Sequence, residues 1–294
     1  MALIINHNMM AMNAARNLSV SYGRLETSVR KLSSGLRIGS AADDSAGLAI
    51  RELMRADIAS LNQGVRNAND AISMIQTADG ALQVIDEKLI RMKELAEQAA
   101  TGTYNSDQRL MIESEYQAMA SEITRIANST DFNSVHLLNG NLSGTHNGEG
   151  MTSIGETKIH FGAGNDCSED YYYIKIGTAT ASALGVGNQS TLDDGFSIST
   201  QAAAQRAIVA LNDAIISKDK IRAHLGALQN RLENTISNLE AQAENIQAAE
   251  SRISDVDVAT EMTEFVRNQV LSQAGVAMLS QANSLPQMAL QLIG

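Results

Sequence analysis

LNQGVRNANDAISMIQTADGALQVIDEKLIRMKELAEQA, from Leu61 to Ala99, is the stretch on which the fold turns. Its inward candidates are Leu61, Val65, Ala68, Ile72, Ile75, Ala78, Leu82, Ile85, Leu89, Met92, Ala96 and Ala99. Steps of three and four residues alternate along them, which holds one apolar stripe on one face of a helix. Two three-residue steps meet at Ile72, Ile75 and Ala78, a stammer-like shift of the seam. No proline interrupts the stretch, and Gly64 is its only glycine before Gly80. At the α-helical rise it makes a rod of roughly 57 Å, too long for the middle of an ordinary globule. Such a stripe needs an equally long partner.

That partner lies in the second half of the chain. Ala204, Ile208, Leu211, Ile215, Lys218, Ile221, Leu225, Leu228, Leu232, Thr235, Leu239, Gln242, Ile246, Ala249, Ile253 and Val256 repeat the period. This stripe also slips once, at Ile215, Lys218 and Ile221. The two are expected to pair antiparallel, with residues 100–200 folded back as the return. The expected class is mainly α: a long antiparallel helical rod, coiled-coil-like, with a small β-hairpin region.

Composition agrees. The chain has 294 residues, 3% aromatics, no Trp and one Pro, so the aromatic area that fills an ordinary core is missing. Ala, Leu, Ile, Met, Asn and Gln suit long thin helices with narrow seams. A net charge of −11 argues against nucleic acid as principal partner. Cys167 is the only cysteine, which excludes an intrachain disulfide and a cysteine-rich metal site. The start, MALIINHNMMAMNAAR, lacks the basic region, continuous apolar core and cleavage site of a classical signal peptide. No run approaches the ~18 apolar residues of a membrane span, so no membrane insertion is expected.

Around the two stripes the chain reads in order. Residues 1 to about 39 form an amphipathic helix whose seam includes Leu18, Tyr22, Leu25, Val29, Leu32 and Leu36. Gly35 and Gly39 mark its end. Ser40 to Gly47 is a joint, with Asp43, Asp44 or Ser45 placed to cap the next helix. Gly102 and Asn105 break the long stripe, and Ser106 or Asp107 can cap a second helix bearing Ile112, Tyr116, Met119, Ile123 and Ile126. DFNS and LLNGNLSG are turn chemistry. Thr157 to Phe161 and Tyr171 to Ile176 read as a hairpin, with the adjacent tyrosines packing on the strand rather than stacking on a ligand. The last segment, Asp255 to Gly294, is a helix with Leu271, Met278, Leu285 and Leu292 at heptad spacing, in which Pro286 should kink or weaken the last turns. Residues 1–39 are net basic and 255–294 net acidic, which favours the ends finding each other.

Catalytic patterns are absent. His7, His136, His146, His160 and His224 are scattered and no HExxH, GxxxxGK[ST] or GxSxG occurs. Asp43 with Asp44 and Asp193 with Asp194 read as capping and turn residues. A non-enzyme without metal or cofactor is expected.

Two segments carry a family resemblance. RKLSSGLRIGSAADDSAGLAI (Arg30 to Ile50) resembles the N-terminal signature of bacterial flagellins, and SRISDVDVATEMTEFVRNQVLSQAGVAMLSQANSLPQMALQLIG (Ser251 to Gly294) resembles the C-terminal one. TDFNSVHLLNG (Thr130 to Gly140) looks like the turn after the family's second helix, and ASALGV (Ala181 to Val186) like a further family segment. Together these cover most of residues 1–140 and 200–294, and the short insert implies a form lacking the large outer domains of many relatives.

The resemblance implies a structural subunit that polymerises into the flagellar filament for motility. It implies that residues 1–44 with 255–294 are terminal helices, disordered in the monomer, that pair in the filament core. Residues 45–140 with 200–254 become the rod domain, and 141–199 a variable insert. Polymerisation seam candidates are Leu18, Leu25, Val29, Leu32, Leu36, Leu271, Met278, Leu285 and Leu292. Implied partners are other copies, hook-junction and cap proteins, an export chaperone and the type III export apparatus, which delivers the chain to an extracellular filament without a cleaved signal. A hook–filament junction protein, with similar termini, is the nearest alternative. An enzyme carried on the filament would need a catalytic cluster in 141–200, where none is visible.

LIRMKELAEQ (Leu89 to Gln98) is similar to the flagellin stretch recognised by the vertebrate Toll-like receptor for flagellin, usually close to LQRxRELAVQ. Arg91, Glu94, Leu95 and Gln98 match, as does Glu115 on the next helix, whereas Ile90, Lys93 and Glu97 depart. Arg91 and Leu95, one turn apart, are expected to share an exposed face. Lys93 cannot reproduce a bidentate arginine contact, which implies weaker recognition. The plainer use of this face is subunit packing.

Overall fold

The computed structural model describes residues 8–145, 155–166, 169–187 and 197–293, with side chains omitted at 285–287 and 289–293. His7, His146, Cys167, Asp193 and Asp194 therefore lie outside the described residues. Five helices, α1 (Met9–Ser34), α2 (Ser45–Ala100), α3 (Ser106–Ser129), α4 (Gln201–Ser254) and α5 (Val258–Ile293), dominate the fold. The strands form two small antiparallel pairs, β1 (Asp131–Phe132) with β2 (Val135–His136) and β3 (Thr157–His160) with β4 (Tyr171–Ile174). The chain is mainly α, as its periodicity requires. It divides into two compact units, Met1–Ile58 with Glu244–Gly294, and Ala59–Ala243.

In the second unit α2 and α4 run antiparallel. Asp86 meets Lys218 at 2.6 Å and Asp79 meets Arg222 at 2.7 Å, so numbering rises on one helix as it falls on the other. The α2 stripe is buried except for half-exposed Val65 and Ile72. Ala71, Met74 and Leu95 are buried as well. They join the core because α3 also covers α2, contributing Tyr116, Ala120, Ile123, Ile126 and Ala127 to the same cluster. Alanine recurs in this core (Ala68, Ala78, Ala96, Ala204, Ala207, Ala214), which lets long helices approach closely. Past Leu239 the α4 stripe shifts by one residue: Ala243 is buried and Gln242 is exposed.

Several local expectations are refined. Asn105, not Ser106 or Asp107, caps α3, in a reciprocal box with Gln108 at 2.8 and 3.1 Å. Asp44 caps α2 by accepting from the Ala46 and Gly47 amides at 3.1 and 3.0 Å. Asp43 ties the preceding turn instead. The Ser40 hydroxyl and the Ser40 and Gly39 amides all donate to its carboxylate, and these bonds with nearby Arg30 hold its pKa below the ordinary value. Between β1 and β2, Asn133 and Ser134 both adopt positive φ, 49° and 66°, as a tight two-residue hairpin demands.

The β3–β4 hairpin lies flat on α2 and α4. Gly64 permits this: a Cβ there would sit 2.0 Å from the Phe161 carbonyl oxygen. Asn67 donates to the His160 carbonyl at 2.8 Å, and the Arg231 guanidinium lies 3.5 Å over the Tyr172 ring. Tyr172 also packs against Phe161, at 4.6 Å between ring centroids, so it serves strand packing.

In the first unit, α1 is shorter than its sequence pattern suggests. Gly35 takes the left-handed conformation (φ 73°) and its amide bonds to Lys31, closing the helix at Ser34 rather than near residue 39. Leu36, expected in the helical seam, instead forms an antiparallel bridge to Asp255. This bridge also separates α4 from α5, because residues 255–257 leave the helix. The Arg37 amide donates to Ser254 at 2.7 Å and the Val256 amide to Gly35 at 3.0 Å. Arg51, buried, donates to the Ile38 carbonyl at 2.7 Å. The joint is thus a hydrogen-bonded clasp. Asp257 then caps α5, accepting from the Thr260 hydroxyl at 2.7 Å and the Ala259 amide at 3.0 Å, which lowers its pKa.

Candidate assembly surface and the Arg91 patch

The α1–α5 pair is antiparallel. Lys31 lies 3.9 Å from Glu261, a Cβ on Gly275 would meet Leu18 Cδ1 at 3.1 Å, and the Asn8 amide donates to the Ala282 carbonyl at 2.8 Å. That last bond has a chemical reason. Pro286 has no N–H, so the carbonyl four residues earlier loses its helical donor. Residue 282 is that carbonyl, and Asn8 replaces the donor while its own Oδ1 caps α1 through the Ala11 amide at 3.0 Å. The backbone accordingly stays helical through position 286, where a kink or weakening was expected.

What these two helices bury against each other is thin. The buried residues are Ala11, Ser28, Asn268, Ser272 and Ala282, all small or polar. Leu18, Leu25 and Leu32 are half-buried, while Val29, Leu271 and Met278 (62% exposed) project outward. The side chains of Leu285 and Leu292 lie outside the described residues. The heptad reading of α5 missed another stripe: Val258, Met262, Val266 and Val270, all exposed, recur every fourth residue. Met9, Met10, Met12, Val20 and Tyr22 add exposed apolar surface on α1. Four-residue apolar spacing was the available signal. Beside Tyr22 and Leu25 a groove closed by Gln269, Ser272, Gln273 and Val276 opens between the helices. Opposite net charges contribute little to the pairing. Lys31–Glu261 is the one ion pair between α1 and α5 among the described residues, whereas Arg30 pairs with Asp43 and Arg267 with Glu264.

In the other unit the receptor-like residues divide by exposure. Arg91 donates to Glu115 at 2.8 Å and to Glu94 at 2.9 Å, forming a surface triad between α2 and α3. The Glu115 bond, then the Glu94 bond, raise the arginine's pKa. Gln98 donates to the Tyr104 hydroxyl at 2.9 Å. Leu95 is 1% exposed, which corrects the expectation that it shares Arg91's outer face. One turn separates the two, yet α3 packs over the Leu95 side of α2 and draws it into the core.

Among the described residues no group of three His, Cys, Asp or Glu side chains is placed to hold a metal, and no helix is long and apolar enough to cross a membrane. These surfaces define a structural helical protein that presents long apolar faces. Residues 5–143 match the model of the bacterial flagellin N-terminal helical region, and residues 208–293 that of the C-terminal helical region. The chain belongs to the bacterial flagellin family. It is 44% identical over 294 residues to the flagellar filament 33 kDa core protein of Treponema phagedenis, covering 99% of this chain and 100% of that one. It is 42% identical over 297 residues to the flagellin of Halalkalibacterium halodurans, with the same coverage. The structure of a putative flagellar hook-associated protein from Vibrio parahaemolyticus shares the fold, with a TM-score of 0.55 and 13% identity over 72% of this chain and 100% of that one. Flagellin is a structural filament protein, not an enzyme.

Proposed function

We propose that this flagellin builds the filament through the faces of α1 and α5 left open within one chain, and that these helices order only as other copies cover them. The observation that carries this reading is the mismatch between a thin seam of small and polar residues and large apolar side chains facing outward. Two such helices alone bury too little surface to offset the entropy of ordering them. A second copy supplies the missing surface, and head-to-tail contacts that do not close generate a helical polymer. In this reading residues 1–44 with 255–294 form the filament core, 45–140 with 200–254 the surrounding rod and 141–199 the variable insert. Export through the flagellar type III apparatus with its chaperone, placement between hook-junction and cap proteins, and an extracellular filament follow from the family resemblance. Full-length identity to filament proteins favours the filament subunit over the hook–filament junction protein. Deleting residues 260–294 is expected to leave the unit Ala59–Ala243 folded and to abolish polymerisation. Filaments of that truncation under the electron microscope would overturn the mechanism.

The soluble subunit also serves, in this reading, as a ligand for the vertebrate Toll-like receptor for flagellin. Arg91, Glu94, Gln98 and Glu115 supply the contact, and buried Leu95 supports the helix beneath it. Arg91→Ala is expected to lower a reporter-cell response at least tenfold without changing the melting temperature. An unchanged response would remove the patch from the receptor surface.

A further inference from the structure

We infer that methionines on α1 and α5 form an oxidation-sensitive site through which peroxide blocks polymerisation, an inference that rests on the proposed burial of these faces by a second copy. The donation from Asn8 to the Ala282 carbonyl sets the first turn of α1 at the level of residue 282. Met9, Met10 and Met12 therefore share one end of the helix pair with Met278 and Met288, and all five are 48–62% exposed. A thioether needs contact with solvent, not a lowered pKa, to react, so exposure decides which sulfurs are attacked. Core methionines Met74 (5%) and Met92 (0%) are shielded, whereas Met111 on α3 is 73% exposed away from these helices and serves as an internal control.

The step balances with hydrogen peroxide as the oxidant. The sulfur lone pair attacks one peroxide oxygen, the O–O bond breaks, the thioether becomes a sulfoxide, and water leaves with both protons. An adaptable apolar side chain becomes a polar, chiral one, unsuited to a dry contact between copies.

The experiment treats the full soluble subunit with hydrogen peroxide and reads each methionine by peptide mass spectrometry. Seeded elongation is followed before and after treatment with the two methionine sulfoxide reductases. The expected result is sulfoxide at the clustered positions and at Met111 but not at Met74 or Met92. The critical concentration should rise at least tenfold and return after reduction. A subunit carrying M111L should lose polymerisation equally, and one carrying M9L, M10L, M12L, M278L and M288L should resist peroxide. If fully oxidised subunits elongate normally, the inference is overturned while the burial reading stands. If the cluster in intact filaments oxidises as fast as in subunits, the burial reading itself fails.

Discussion

Lys218 occupies an apolar position of the α4 stripe, and its side chain is 2% exposed. Its ammonium meets Asp86 at 2.6 Å and Asp219 at 2.7 Å, while its four-carbon stem fills space between α2 and α4. Removing two charges from water offsets most of what their attraction contributes, so the stem's packing should dominate. Lys218→Met is expected to cost less than about 1.5 kcal/mol, and Lys218→Ala about 2–5 kcal/mol through the cavity it leaves. Urea unfolding followed by circular dichroism separates the two; equal losses would assign the stability to the ion pair. Lys218 was legible in the sequence because it falls on the period. Leu95 was not, because a single stripe describes a helix covered from one side, and contact between α2 and α3 across residues 91 and 115 depends on how a separate helix folds back.

At the scale of elements, the long helices announce themselves and the ends do not. The α2 and α4 stripes keep their period for many turns, so type, partner and direction could all be read. The α1 terminus was read late because Gly35 and Gly39 both offered a stop, and the bridge between Leu36 and Asp255, far apart in sequence, decides for the first. In α5 apolar residues run around the helix, so no single seam marks its partner. The Asn8–Ala282 bond is a similar case, legible only once Pro286 is seen to orphan one carbonyl and the register is known. Asn8 both accepts from Ala11 and donates to Ala282, which aspartate cannot do. Asn8→Asp should keep the cap and lose the latch, whereas Asn8→Ala loses both, at about 1 kcal/mol for the cap alone. Thermal melting of filaments should rank wild type above Asp and Asp above Ala. Asp equal to wild type would show that the latch contributes nothing.

For the whole molecule, the two units differ in what they bury. Ala59–Ala243 encloses a continuous core of leucine, isoleucine, methionine and alanine, whereas the α1–α5 pair closes on serine, asparagine and alanine and turns its valines and methionines outward. A unit of the first kind folds on its own contacts, and one of the second kind folds on a neighbour's. Amide hydrogen exchange, resolved by peptide in soluble subunit and in filament, tests this most directly. Residues 9–34 and 258–293 should exchange nearly unprotected in the subunit and at least about 100-fold more slowly in the filament, with α2, α3 and residues 201–243 protected in both. Equal protection of α1 and α5 in subunit and filament would contradict the account.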